Sequence, residues 1–158
     1  MSRKKNLWVW LFVLLYIAVI FYNSSMDSVE SSSISQQVTD MLLYWLNRIG
    51  LYADYNTFHH FVRKLAHFTE FAGLGFIVAL AVGIAPVFKY RFLNFIAFMI
   101  GVPFADEAFQ YFIDGRNNSL TDVTIDASGY FFGGLLGYML LLIIKEFYHY
   151  LKKKQKAK

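Results

Sequence analysis

The sequence predicts an all-α, polytopic membrane protein: four transmembrane helices, with an extracytoplasmic amphipathic helix between the first and the second. Two observations carry that reading. Apolar residues make up 57% of the 158-residue chain, mean hydropathy +0.41, and they fall in long blocks instead of the stripes of a soluble domain. About 20 such residues cross the hydrocarbon core, so blocks of about 18 or more mark spans. The second observation is charge. Arg3, Lys4, Lys5, Lys89, Arg91, Lys145, Lys152, Lys153, Lys154, Lys156 and Lys158 all flank the apolar blocks, as the positive-inside rule expects of cytoplasmic ends.

In chain order, the first span covers about 7–22 (LWVWLFVLLYIAVIFY), with Lys4 and Lys5 placed to snorkel. YNSSMDS holds no small-x-small cleavage motif, so this helix is expected to stay as an anchor. The other spans are about 65–88, 92–113 and 123–144, followed by a basic tail over 145–158, the whole forming one membrane domain over 1–158. With both termini and the Lys89–Arg91 loop on one side, that side holds a single acid, Glu146. The remainder holds Arg48, Arg63, Lys64 and Arg116 against every other carboxylate of the chain. Both termini are therefore expected in the cytoplasm.

Between the first two spans, Ile34, Val38, Met41, Leu42, Trp45, Leu46 and Ile49 recur at helical spacing. The segment about 34–49 is too short and polar to span and is read as an interfacial helix, on the outer leaflet or over the bundle mouth. Ser31 to Ser33 are available to cap its start and Gly50 its end.

Composition excludes several functions. The absence of cysteine rules out disulfides, zinc-thiolate sites and thiol nucleophiles. The pI near 9.2 does not point to nucleic acid, because no aromatic-basic interleaving accompanies the lysines. Anionic lipid headgroups are their simplest partners.

The polar residues next to the apolar blocks need a reason. RKLAHFTEF places Arg63, His67 and Glu70 on one face of the second span, with Lys64 beside it. On the third, Asp106, Gln110 and Asp114 share a face flanked by Glu107, and Pro103 one turn earlier is expected to kink the helix. The fourth brings Asp122 and Asp126 onto the line that continues as Gly129, Gly133 and Gly137, with Thr121 or Asp122 as N-cap. A charged group facing lipid at mid-membrane costs about 2.5–3.5 kcal/mol. The three stripes are therefore expected to face one another near the outer surface. Paired singly, Glu70 would simply neutralise Arg63, Asp126 would cap its helix, and Arg116 would anchor at the interface. His59 and His60 are expected to be solvated.

RKLAHFTEF, DEAFQYFIDGR and TDVTIDASGYFFGG together resemble the VanZ-like family of small bacterial membrane proteins, over nearly the whole chain. The family elements fall on Arg63, Lys64 and His67 (RKxxH), on Asp106, Glu107 and Gln110 (DExxQ), on Gly115 and Arg116, and on Asp122, Asp126 and Gly129 (DxxxDxxG). Glu70 replaces a tyrosine often found there, and Met26 stands near the place of a common glutamine. The resemblance implies the bacterial cell membrane and an association with tolerance to the lipid-tailed glycopeptide teicoplanin. It does not carry a reaction.

Three functions fit these residues. In the first, the pocket acts on or binds a lipid-linked envelope precursor or lipoglycopeptide at the outer face. Arg63, Lys64 and Arg116 would hold an anion, with Gln110 and Asp122 as further substrate contacts, and His67, Glu70, Asp106, Glu107 and Asp126 would serve as general acid and base. In the second, the same imidazole and carboxylates hold a divalent metal such as magnesium, calcium or manganese. In the third, the polar cluster only binds an amphiphile and ties the helices together.

Overall fold

The computed structural model describes residues 8–26, 28–113 and 119–156. Among them are five helices and no strand: α1 (Trp8–Ser24), α2 (Ser28–Arg48), α3 (Tyr55–Ile84), α4 (Arg91–Gln110) and α5 (Leu120–Lys156). α3, α4 and α5 are each long and apolar enough to cross a membrane. α1, at 17 residues, rises about 25 Å; counted together with α2, from which it is bent by 99°, it makes a broken span, so the described residues hold three to four candidate spans. The chain is a polytopic all-α membrane protein.

Helix limits differ from the hydropathy blocks because hydrogen bonds, not lipid contact, set them. α3 begins at Tyr55, ten residues before its apolar run. Asp54 caps it by accepting from the Thr57 backbone N–H (2.9 Å) and hydroxyl (2.9 Å), and the backbone bond holds the Asp54 carboxyl below the usual carboxylate range. It stops at Ile84, because Pro86 disfavours helical backbone at Ala85. α4 ends at Gln110, short of the predicted 113, and runs on through the buried Pro103. α5 continues far past 144, so residues 145–156 extend the span as helix: Leu, Lys and Glu are good helix formers and no breaker intervenes.

α2 starts at Ser28, six residues before the expected 34. Ser31 to Ser33 therefore lie inside the helix instead of capping it, and Ser33 bonds back to the Glu30 carbonyl (2.7 Å). Gly50 does end it. With φ +80, it passes its N–H to the Asn47 carbonyl (3.1 Å) while Leu51 reaches Leu46 (3.0 Å), the paired bonds of a Schellman motif. Along α2 only Thr39 is fully buried. In the apolar stripe Ile34, Trp45 and Ile49 are 50%, 62% and 71% exposed, while Leu42 and Leu46 are half-buried.

The core joins α1 (Val13, Ile20), α3 (Phe71, Leu74, Val78) and Tyr130 of α5. α3 and α5 make the most extensive contact. They run parallel: the backbone at Phe68, Ala72 and Phe76 meets Gly129, Gly133 and Gly137 in turn, and Gly75 meets the Tyr130 carbonyl. A side chain at any of Gly75, Gly129 or Gly133 would strike backbone of the other helix, which is the close approach that glycine permits. α4 returns antiparallel and packs against both, with Phe95 against Tyr130 (ring centroids 4.8 Å apart). Its connection to α3 is held by the buried Asn94, which accepts from the Phe88 N–H (2.7 Å) and donates to the Phe88 (3.1 Å) and Tyr90 (2.9 Å) carbonyls. At the same end Trp10 of α1 donates to the Ala85 carbonyl (2.6 Å). Hence the start of α1, the α3–α4 turn and the basic end of α5 share one end of the bundle.

Candidate functional site

The opposite end gathers the last turn of α1, the first half of α3, the end of α4 and the start of α5. The register that lets the glycines touch also sets the ion pairs. Lys64 and Asp122, 58 positions apart, meet at 2.6 Å, and His67 Nδ1 faces Asp126 Oδ1 at 3.4 Å. On α4, Gln110 donates to Asp106 Oδ2 (2.7 Å) and to the Ser24 hydroxyl of α1 (3.2 Å). Glu107 accepts the backbone N–H of Ser119 (2.8 Å). Glu70 accepts from Asn23 (2.7 Å).

Ser119, not Thr121 or Asp122, starts α5. Its hydroxyl accepts the Thr121 N–H (3.2 Å) and its carbonyl the Asp122 (2.9 Å) and Val123 (3.2 Å) N–H groups. That frees Asp122 for Lys64. Asp126 lies well inside α5 and is fully buried, so it is no cap. Nor does Glu70 neutralise Arg63: among the described residues Arg63 makes no ion pair.

Arg63, His67 and Glu70 line one cavity of about 220 Å³ with Asn23 and Ser24 of α1 and Met26 just beyond it, and α2 contributes Ser31, Ile34 and Ser35 to its wall. α2 thus covers the polar site. Asp106, Glu107, Gln110 and Asp126 are buried and are not part of its lining. Several of these groups lack hydrogen bonds: His67 Nδ1, Asp106 Oδ1 and both Asp126 oxygens are buried and unpartnered. At 3.4 Å the His67–Asp126 contact is longer than the usual 2.7–3.2 Å, an electrostatic pairing without a formed bond.

Residues 8–145 match the VanZ/LLP1 family model. The chain belongs to the VanZ/LLP1 family. No curated protein and no solved structure matches it. In this VanZ/LLP1 protein the RKxxH, DExxQ and DxxxDxxG elements converge: each contributes a residue to the network above. Asp114, Gly115 and Arg116 lie outside the described residues.

Of the candidates for acid–base chemistry, His67 and Glu70 line the cavity, while Asp106, Glu107 and Asp126 are buried and do not line it. Of those for substrate contact, Arg63 reaches the cavity. Lys64, Asp122 and Gln110 are engaged with protein partners. Among the described residues, no three of the His, Asp and Glu side chains converge as metal ligands, because the carboxylates are spread over separate partners on three helices. His59, expected in solvent, is half-buried, its Nε2 enclosed without a partner and its ring stacked on Tyr55 at 6.2 Å. The sequence reading missed Asn23 and Ser24 as partners of this network. Their signal was weak: polar residues closing an apolar helix pass for ordinary interfacial residues.

Proposed function

We propose that this protein binds the polar headgroup of a cell-envelope lipid or lipid-tailed glycopeptide of the teicoplanin type, and thereby contributes to glycopeptide tolerance. In this reading both termini are cytoplasmic in a bacterial cell membrane, and the polar end opens beneath the outer headgroups, where a lipid-linked envelope precursor presents its own. One observation carries the reading: the cavity holds Arg63 without an ion pair among the described residues, and beside it lie buried, unpartnered oxygens and the unpartnered His67 Nδ1. Buried polar atoms are seldom left unpaired, and such a group asks for a partner. A headgroup with an anionic part for Arg63 and hydroxyl or ammonium donors for Glu70 would complement both signs of charge.

The test is binding by purified protein in nanodiscs, titrated with teicoplanin and with a polyprenyl-pyrophosphate-linked sugar. Saturable binding of at least one is expected, weakened about tenfold or more by Arg63→Gln and by His67→Gln. If neither ligand binds, or both variants bind like the wild type, the reading is wrong.

A second reading is favoured by the pairs that are satisfied. Lys64–Asp122, Glu107–Ser119 and the Gln110 bridge tie four helices together and need no ligand. A purely structural network predicts that Asp122→Asn lowers the thermal midpoint while Arg63→Gln changes neither stability nor teicoplanin sensitivity.

A further inference from the structure

A second cavity, of about 580 Å³, lies at the other end of the molecule, in a groove between α3, α4 and α5. It falls within the roughly 300–1,000 Å³ of small-molecule sites. Its walls are apolar: Val82 of α3, Phe95 of α4, and Phe131, Leu135, Tyr138 and Leu142 of α5. Arg91 and Lys145 also line it. Arg91 opens α4, and no side chain caps that helix start, a position that favours an anion. Along α5, Phe131 to Lys145 spans about 21 Å, somewhat more than one leaflet of a hydrocarbon core about 30 Å thick.

The groove therefore suits a lipid: an apolar trough running about 21 Å along α5, with two cations from different helices at its terminal-bearing end. Gly83 and Gly134 are part of its lining, and the lack of a Cβ lets Leu141 and Phe95 pack directly against them to form the wall. We propose that this groove is a binding site for one anionic phospholipid, its phosphate held by Arg91 and Lys145 and an acyl chain laid against Phe95, Phe131 and Leu135. An annular lipid needs only an apolar surface. This site differs in pairing a defined trough with a two-point anion clamp. It shares no lining residue with the polar cavity and stands or falls separately from it.

The experiment is lipid retention by the full chain in detergent, loaded with phosphatidylglycerol or phosphatidylcholine of matched chains and quantified by mass spectrometry after detergent exchange. The wild type is expected to retain phosphatidylglycerol at one per chain, with about tenfold preference over phosphatidylcholine. The double variant Arg91→Gln, Lys145→Gln should lose that preference. Both side chains are exposed, so the fold should be kept. Leu135→Trp, which fills the trough, should reduce retention of both lipids, and glycerol 3-phosphate should not compete, since it has no chain. Equal retention of the two lipids by the wild type, an unchanged preference in the double variant, or competition by glycerol 3-phosphate would each overturn the proposal.

Discussion

Gln110 shows how single residues are decided inside a membrane. Its amide donates to Asp106 on its own helix and to Ser24 on α1, all three side chains being buried. Removing the amide leaves two buried acceptors unpaired, and a buried unsatisfied group costs about 1–3 kcal/mol. Gln110→Leu should accordingly lower the thermal midpoint in detergent. A midpoint within error of the wild type would mean that Asp106 finds another donor. That Asp106, Gln110 and Asp126 face inward was legible in the sequence, because lipid exposure of such groups is too costly. Which of them would be satisfied was not. Lys64 took Asp122 and left Asp126 to a loose contact with His67, a choice set by rotamers and helix register.

Helix α5 carries the decisive element, its row of glycines. Gly133 faces the Ala72 carbonyl so closely that a Cβ there has no space, and backbone cannot swing aside as a side chain can. Gly133→Ala should force α3 and α5 apart at a cost of roughly 1–3 kcal/mol. It should also loosen Lys64–Asp122, which depends on the same register. Retained stability together with an unchanged cross-link between cysteines placed at 64 and 122 would refute that coupling. At the start of α3, Asp54 gives a pH-dependent end. Its folded carboxyl titrates below its unfolded value because the Thr57 N–H bonds the ionised form. The cap is thus complete above about pH 4 and is lost as pH falls through the lowered folded value. Faster hydrogen exchange at Thr57 and Phe58 is expected under acid conditions and, at neutral pH, in Asp54→Ala.

Across the whole molecule the two ends are chemically opposite. One holds the buried acids, His67 and the α2 cover. The other holds Trp10, Arg91 and the lysines of α5. The chain has no cysteine, so single cysteines introduced at the exposed Ser33, Thr121 and Lys154 report sidedness directly. An impermeant thiol reagent should label the first two in intact cells and spare the third until the membrane is opened. The reverse pattern would place the polar cavity at the cytoplasm and remove an envelope ligand from consideration.

Hydropathy, charge asymmetry and helical spacing determined the all-α class, the order of the elements and the inward face of each, since these follow from partition between lipid and water residue by residue. The Gly50 stop and the glycine face of α5 were readable for the same local reason. Only the tertiary structure decided the rest. Capping by Asp54 and Ser119 moved the helix starts away from the apolar blocks, Asn23 and Ser24 joined the acid network, His59 was enclosed, and α2 came to wall the cavity. Those outcomes depend on which helix stands beside which and in what register. A single chain of residue types does not state that, because contacts between positions far apart in sequence are chosen jointly, by packing.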